Sequence, residues 1–349
     1  MHQVKPFWNP SRRWRRWMYG GAWFVFSSWA SASFALPPHT QSDFNNVRAI
    51  VQLQGLDVPK PRVKGSGTLT LKVLEQTQVF TTVGMLGTLP GRYLIDTGAS
   101  TTMLSAQVVE DLKLKGRAVP SDRLSSAVAG KGCSSMKATL HELPDLKLES
   151  TNISGANALR FETTTIPDGL SGVIGMDILN NFDLQFNPQA LTLQLTSPSS
   201  LSTENFDTAI PLQRKLGVFL AKLTLDGQGP FTMLLDTGAD STFISQSVAQ
   251  KLKLNAKQRQ PMQILGFCGL EPAERSRLTS VKLGQQEQKG VEAIIILSSP
   301  ILKLLGVDGI LGQNFLSYYQ QHWRFTPFSK NGVKADGSLL LSAPESTIK

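Results

Sequence analysis

The tripeptide Asp-Thr-Gly occurs twice in the sequence, each time at the end of an apolar run. "GRYLIDTGAS" contains Asp96, and "FTMLLDTGAD" contains Asp236. A buried carboxylate without a partner is costly, so each Asp either caps a solvated turn or lies beside a group that makes its burial useful. Two adjacent carboxylates share one proton, so one can activate a water while the other stabilises an oxyanion. The pattern therefore predicts a catalytic pair, Asp96 and Asp236, that hydrolyses amide bonds.

The two tripeptides belong to an internal repeat. When Asp96 is aligned with Asp236, "DTGASTTMLSAQVVEDLKL" lies on "DTGADSTFISQSVAQKLKL" without a gap, and ten of 19 positions are identical. The similarity returns where "LSGVIGMDIL" matches "VDGILGQNFL". Two copies of one half-domain are expected to pack around a pseudo-two-fold axis. An element close to that axis then faces its twin, which would bring the two Asp-Thr-Gly turns together.

Residues beside the two Asp suit such a meeting. Gly98 and Gly238 lack a Cβ, so each turn can fold back tightly and direct its amides to the carboxylate. Thr97 and Thr237 carry short hydroxyls that could bond across the axis and fix the separation of the turns. We interpret these four residues as the support of the active turns.

Short alternating or apolar runs separated by Gly, Pro and Asn predict a mostly β chain. Two short helices are predicted at 105–114 and 245–254, each opened by a Ser cap. We divide the chain into a signal or anchor segment, an unassigned segment, a first repeat, a polar linker and a second repeat. Their bounds are 1–32, 33–64, 65–195, 196–209 and 210–345.

The paired motifs "LIDTGAS" with "GVIGMDIL", and "LLDTGAD" with "GILGQNFL", resemble the signatures of retropepsin-like aspartic proteases. The resemblance covers both halves, from about Gly65 to Pro344. It implies two β-barrel half-domains related by a pseudo-two-fold axis, and an aspartic endopeptidase that acts on a peptide or protein substrate. Retropepsins are usually homodimers of one such half, so this chain resembles either a monomeric pseudo-dimer or a homodimer. The alternative function is a non-catalytic extracytoplasmic peptide-binding or sensor module.

Some positions depart from the family pattern. Retroviral members often carry Arg-Asn after the Gly of the second motif, but this chain has Met176-Asp177 and Gln313-Asn314. Asp240 therefore lacks the expected Arg, and Ser100 replaces the acid in the first half. These departures concern the bracing of the interface between the halves, and not the catalytic pair.

Two Gly-rich segments could be ordinary hairpin loops, but the resemblance implies that they are flaps over the cleft. The flap candidates are Gly130 and Gly132 in the first half and Gly266 and Gly269 in the second. The two cysteines, Cys133 and Cys268, lie in these same segments. In an oxidising compartment they could form a disulfide between the flaps, and the alternative is two free thiols.

The N-terminus predicts export. "RRWRRW", an apolar stretch and "ASASFA" form the pattern of a secretory signal. We expect cleavage after Ala32, with cleavage after Ala35 or an uncleaved membrane anchor as the alternatives. Part of the net charge of +9 lies in this segment, and no later basic run suggests a nucleic-acid partner. Two cysteines and four histidines leave little material for a metal site or a His-based hydrolase, so no metal or cofactor is expected.

Overall fold

Most of the chain forms β-strands, as the short apolar runs predict. The structure is a computed structural model. It describes residues 44–46, 50–53, 59–120, 124–127, 137–162, 166–205, 207–266, 269–298, 300–330 and 332–343. They all belong to one unit, Ser42–Lys349. The signal segment, Gly130, Gly132, Cys133 and Cys268 lie outside the described residues.

The described residues up to Thr196 form 17 strands. In chain order they are β1 (Phe44–Asn46), β2 (Ile50–Leu53), β3 (Arg62–Lys64), β4 (Gly67–Thr70), β5 (Lys72–Val73), β6 (Phe80–Leu86), β7 (Leu89–Ile95), β8 (Met103–Leu104), β9 (Gly116–Ala118), β10 (Leu124–Ala127), β11 (Ala138–Glu142), β12 (Leu146–Leu148), β13 (Thr151–Ser154), β14 (Asn157–Phe161), β15 (Gly172–Ile174), β16 (Asp183–Asn187) and β17 (Thr192–Thr196).

The second half repeats much of this order with longer strands. They are β18 (Ile210–Lys215), β19 (Val218–Leu225), β20 (Gln228–Leu235), β21 (Thr242–Ser245), β22 (Gln260–Gly266), β23 (Gly269–Leu283), β24 (Gln286–Ile296), β25 (Gly309–Leu311), β26 (Gln320–Arg324), β27 (Phe328–Lys330), β28 (Val333–Ala335) and β29 (Gly337–Ser342). The helices are α1 (Ala106–Asp111), α2 (Met176–Leu179), α3 (Gln246–Lys251), α4 (Pro300–Leu305) and α5 (Gln313–Leu316), with short 3-10 turns at Thr203–Asn205 and Ala256–Gln258.

The last three residues of the strands that end at the two Asp are buried on both faces. In β7, Tyr93 to Ile95 are all buried, and in β20 the same holds for Met233 to Leu235. This explains why these strands read as continuous apolar runs and not as alternating ones. By contrast, β17 alternates, with Leu193 buried and its neighbour Gln194 exposed.

A six-stranded layer joins the two halves. Its order is β4-β17-β16 from the first half followed by β26-β29-β18 from the second. The central pair, β16 and β26, is antiparallel with Leu184 opposite Trp323 and Phe186 opposite Gln321. Each half therefore contributes equivalent strands on either side of a pseudo-two-fold axis, and one hydrophobic core contains residues of both halves. Apolar burial of this kind is the dominant stabilising term of a fold.

Helices α1 and α3 occupy equivalent positions beside the two active turns. Ser105 and Ser245 cap them, each accepting a hydrogen bond from the backbone N–H three residues ahead, as predicted. Both helices are six residues long and shorter than expected. They end early because Lys113 and Lys253 adopt positive φ values of 49° and 56° after the last turn.

The segment 33–64, which the sequence left unassigned, contributes strands in its described part. β3 pairs with β13, β2 pairs with β10, and β1 pairs with β22. None of the helices in the described part of the chain is long and apolar enough to cross a membrane.

Candidate active site

Each Asp-Thr-Gly turn is held by the apolar strand of the second motif. β15 runs parallel to β7 with Ile174 opposite Ile95, and the N–H of Asp96 donates to the carbonyl of Ile174 at 3.1 Å. In the second half, β25 runs parallel to β20, and the N–H of Asp236 donates to Leu311 O at 3.0 Å. The two motifs that lie far apart in sequence thus form one local unit in each repeat.

Four hydrogen bonds between threonines and backbone lock the two turns together. Thr97 N–H donates to Thr237 Oγ1 and Thr237 N–H donates to Thr97 Oγ1, each at 3.0 Å. The Thr97 hydroxyl donates to Leu235 O, and the Thr237 hydroxyl donates to Ile95 O, each at 2.9 Å. Both threonines are buried, so these bonds form away from water. The turns therefore have one fixed separation within this chain.

Each carboxylate lies against the glycine of the opposite turn. A Cβ placed on Gly98 would lie 2.3 Å from Asp236 Cγ, and one on Gly238 would lie 2.3 Å from Asp96 Cγ. Only glycine fits at these positions, because real Cβ contacts are never so short. The structure therefore brings Asp96 and Asp236 to the same point, and both residues are fully buried there.

Backbone amides of the turns hold one oxygen of each carboxylate. Asp96 Oδ1 accepts from Gly98 N at 2.8 Å and from Ala99 N at 3.1 Å. Asp236 Oδ1 accepts from Gly238 N at 2.7 Å. Each turn therefore fixes the position of its own carboxylate through backbone amides.

A second pair of glycines lets the chain pass directly behind each turn. A Cβ added to Gly175 would lie 2.8 Å from Ala99 O, and a Cβ added to Gly312 would lie 2.7 Å from Ala239 O. The next residues then brace the turns through their backbone, since Met176 N donates to Ala99 O and Gln313 N donates to Ala239 O, both at 2.8 Å.

Gln313 adds a side-chain brace that only the second half possesses. It is fully buried, and its amide nitrogen Nε2 donates to Thr237 O at 3.1 Å. The equivalent residue of the first half is Met176, which has no such donor. Sequence reasoning identified Gln313 only as a departure from the Arg of retroviral members. The long polar side chain at that position was the signal that could have indicated this bond.

Asp177 and Asn314 occupy equivalent positions behind the two turns. Asp177 Oδ1 accepts from the N–H and hydroxyl of Thr102, at 2.9 and 2.7 Å, and from Ile178 N at 3.0 Å. In the second half, Asn314 Oδ1 accepts from the hydroxyl of Thr242 at 2.7 Å. Asp177 as a whole is half-buried, but its carboxylate is enclosed by protein. The burial of this carboxylate raises its pKa to about 6, although its hydrogen bonds act in the opposite direction.

Replacing Asp177 with Asn should stabilise the protein at neutral pH. The Asp177 carboxyl binds its proton more tightly in the folded protein than in the unfolded one. Its ionisation therefore lowers the free energy of unfolding as the pH rises from about 4 through 6. Asp177→Asn removes this charge and copies the second half. We expect the variant to gain roughly 1–3 kcal/mol of unfolding free energy at pH 7.5 and little at pH 4. Urea unfolding at both pH values measures this, and an equal effect at both would contradict it.

A cavity lies beside the first turn, at the junction of the two halves. Its volume is about 830 Å³, and its lining includes Ser100 and Thr101 after the first turn, Arg214 and Phe219 from the second half, and Lys60. Ser100 is buried, and its Oγ has no hydrogen-bond partner among the described residues. The cavity therefore has a buried hydroxyl, that of Ser100, in its lining directly after the turn of Asp96.

The flap candidate of the second half is a β-hairpin. β22 and β23 pair antiparallel from Gln260 opposite Arg275 to Gly266 opposite Gly269, which close the hairpin at its tip. For the first half, the described strand nearest the other candidate segment is β10. Among the described residues, no group of three His, Cys, Asp or Glu residues is arranged to hold a metal ion.

Both repeats match aspartyl protease families. Residues 81–178 match the family described as "Aspartyl protease", and residues 221–318 match the one described as "gag-polyprotein putative aspartyl protease". Together the matches span more than half of the chain, and each contains one Asp-Thr-Gly turn with its second motif. The chain belongs to the retropepsin-like aspartyl protease family, with two such domains in tandem, and the predicted mostly β fold is confirmed.

Among solved structures, the chain is similar to a retropepsin-like aspartic protease from Rickettsia conorii. The sequences are 18% identical, and the match covers 38% of this chain and 88% of that one, with a TM-score of 0.27. No curated protein matches the chain.

Proposed function

We propose that this protein is an aspartic endopeptidase whose catalytic pair is Asp96 and Asp236 of the same chain. The observation that carries the proposal is the reciprocal threonine lock, which places each carboxylate against the glycine of the opposite turn. The family membership of both repeats supports the same class of hydrolase.

The mechanism follows from the charge state of the pair. Two adjacent carboxyls share one proton, so one of them is ionised when the pair is ready to act. The ionised member takes a proton from a water held between them, and the water oxygen attacks the amide carbon. The other member donates a hydrogen bond to the developing oxyanion, and a proton then passes to the leaving nitrogen. Four fixed threonine bonds keep the pair from separating during these steps.

The substrate is proposed to be an extended peptide, which rests on the match of both repeats to aspartyl protease families. Main-chain hydrogen bonds to strand edges supply affinity, while pockets select side chains. We also propose that the protein is exported and acts outside the cytoplasm, which rests on the N-terminal signal pattern. The rival proposal, a non-catalytic peptide-binding module, predicts binding without cleavage.

We expect cleavage to depend on pH as a bell-shaped curve on the acid side of neutrality. The pair works only when it holds one proton, so activity falls at low pH when both carboxyls are protonated and at high pH when both are ionised. The two limbs belong to the pair and not to either residue alone.

The direct measurement is incubation of the protein with a peptide library from pH 3 to 10, with and without pepstatin. Mass spectrometry identifies new termini. Pepstatin-sensitive internal cleavage that peaks below pH 7 supports the proposal. Binding without cleavage, or cleavage that rises above pH 8, contradicts it.

A further inference from the structure

The N-terminal strands β1 and β2 pair with equivalent strands of the two repeats. At the offset that relates Asp96 to Asp236, Leu124 of β10 corresponds to Ile264 of β22. Leu124 is paired with Leu53 of β2, and Ile264 is paired with Asn45 of β1. β1 and β2 belong to one short segment that precedes the repeats, and among the described residues no strand of the repeats pairs with these two edges.

Of these two edges, that of β10 lies where the two halves meet. β22 is one arm of the hairpin that closes at Gly266 and Gly269, and its other edge is bonded to β23. β10 belongs to the first half, yet it contacts helix α4 of the second half. The chain from Asn46 to Ile50 can span at most about 14 Å, so the two edges must lie close enough for one extended chain to reach both.

The directions of the two pairings fit a chain that crosses a pseudo-two-fold axis. β1 is parallel to β22, whereas β2 is antiparallel to β10. Two strands related by such an axis present opposite directions to any chain that runs across it. A chain that keeps one direction across the axis is therefore parallel to one edge and antiparallel to the other, which matches the pairings of β1 and β2, and an extended peptide would meet the same pair of edges.

The same segment then reaches the flank of the first active turn. Pro59, Lys60 and Pro61 line the cavity that also contains Ser100 and Thr101, which follow the turn of Asp96 directly. Beyond Pro61 the chain enters the first half as β3. The segment therefore contacts both strand edges and then borders the cavity beside the turn.

We propose that β1 and β2 form an internal ligand of the cleft, which occupies the strand edges that an extended peptide substrate uses. This inference rests on the proposed function, because it names what regulates access to that site. A substrate must displace the segment before it binds. The apparent affinity of the protein for its substrate is therefore the intrinsic affinity multiplied by the fraction of molecules in which the segment is detached.

The test weakens β2 without touching the catalytic turns. Alternate residues of a strand direct their N–H groups to the same side, so two consecutive prolines remove a donor from the ladder with β10 in either phase. The full chain carrying Val51→Pro and Gln52→Pro is compared with a matched control carrying Val51→Ala and Gln52→Ala. The control shortens the same side chains but keeps both N–H groups.

Hydrogen exchange gives a readout that is independent of catalysis. We expect the amides of Leu124–Ala127 and those of residues 263–265 to exchange at least about tenfold faster in the proline variant than in the alanine control. In peptide cleavage, the proline variant should show a KM about tenfold lower at an unchanged kcat.

Unchanged exchange at both strands would overturn the proposal. Faster exchange with an unchanged KM would also overturn it, because the segment would then lie outside the path of the substrate. Faster exchange without cleavage by any form, wild type included, would instead count against the proposed function while supporting occupation of the two edges.

Discussion

Replacing either Asp96 or Asp236 with Asn is expected to reduce peptide cleavage by about 10³-fold or more while the fold is retained. Each substitution leaves one carboxyl without the partner with which it shares a proton. Asn is nearly isosteric with Asp, and its oxygen can still accept from the amides of Gly98 or Gly238, so the turns should keep their geometry. The loss therefore reports on the chemistry.

Initial rates and thermal unfolding of both single variants and of the double variant provide the measurement. The two single losses should be similar, and the double variant should lose no more than either one, because the two residues act as a unit. Substantial cleavage by one single variant would show that the carboxylates do not form the reacting pair.

The second large effect is expected from the threonine lock. Thr97→Val keeps the shape of the side chain but removes the hydroxyl that accepts from Thr237 N and donates to Leu235 O. Two buried backbone groups then lose their partners, at about 1–3 kcal/mol each, so we expect roughly 2–5 kcal/mol less unfolding free energy. Cleavage should fall by about 10²-fold, because the turns lose their fixed separation.

Thr97→Ser is the matched control, since it keeps the hydroxyl and loses only a methyl group. Chemical denaturation and kcat/KM are measured for both variants, and Thr237→Val should reproduce the result from the other side. A Thr97→Val variant as stable and as active as Thr97→Ser would show that the lock does not hold the pair together.

The sequence predicted the parts of the site that the two repeats share. The alignment of Asp96 with Asp236 indicated a pseudo-two-fold arrangement, and the apolar runs located the strands that end at both residues. Ser105 and Ser245 predicted the starts of α1 and α3 because a cap is a local signal. Their early ends were missed because Lys residues, and not Gly, adopt the positive φ that stops each helix.

Features that differ between the halves were harder to predict. Gln313 braces the second turn through a bond to a backbone carbonyl. Its long polar side chain was a signal in the sequence, but a residue type alone does not identify the carbonyl that accepts. Asp177 is equivalent to Asn314, but its raised pKa comes from tertiary burial. β1 and β2 have no counterpart in the second half, and their pairing is made by backbone groups, so the internal repeat gave no indication of them.

A mixing experiment decides whether one chain contains a complete catalytic pair. The Asp96→Asn and Asp236→Asn proteins are combined in equal amounts, co-refolded, and assayed for peptide cleavage beside the wild type. If each chain pairs its own two turns, every molecule in the mixture has one intact Asp, and the mixture stays as inactive as its components. Recovery of about a quarter or more of the wild-type rate would show that the turns pair between chains, because chain exchange alone can then rebuild an intact pair.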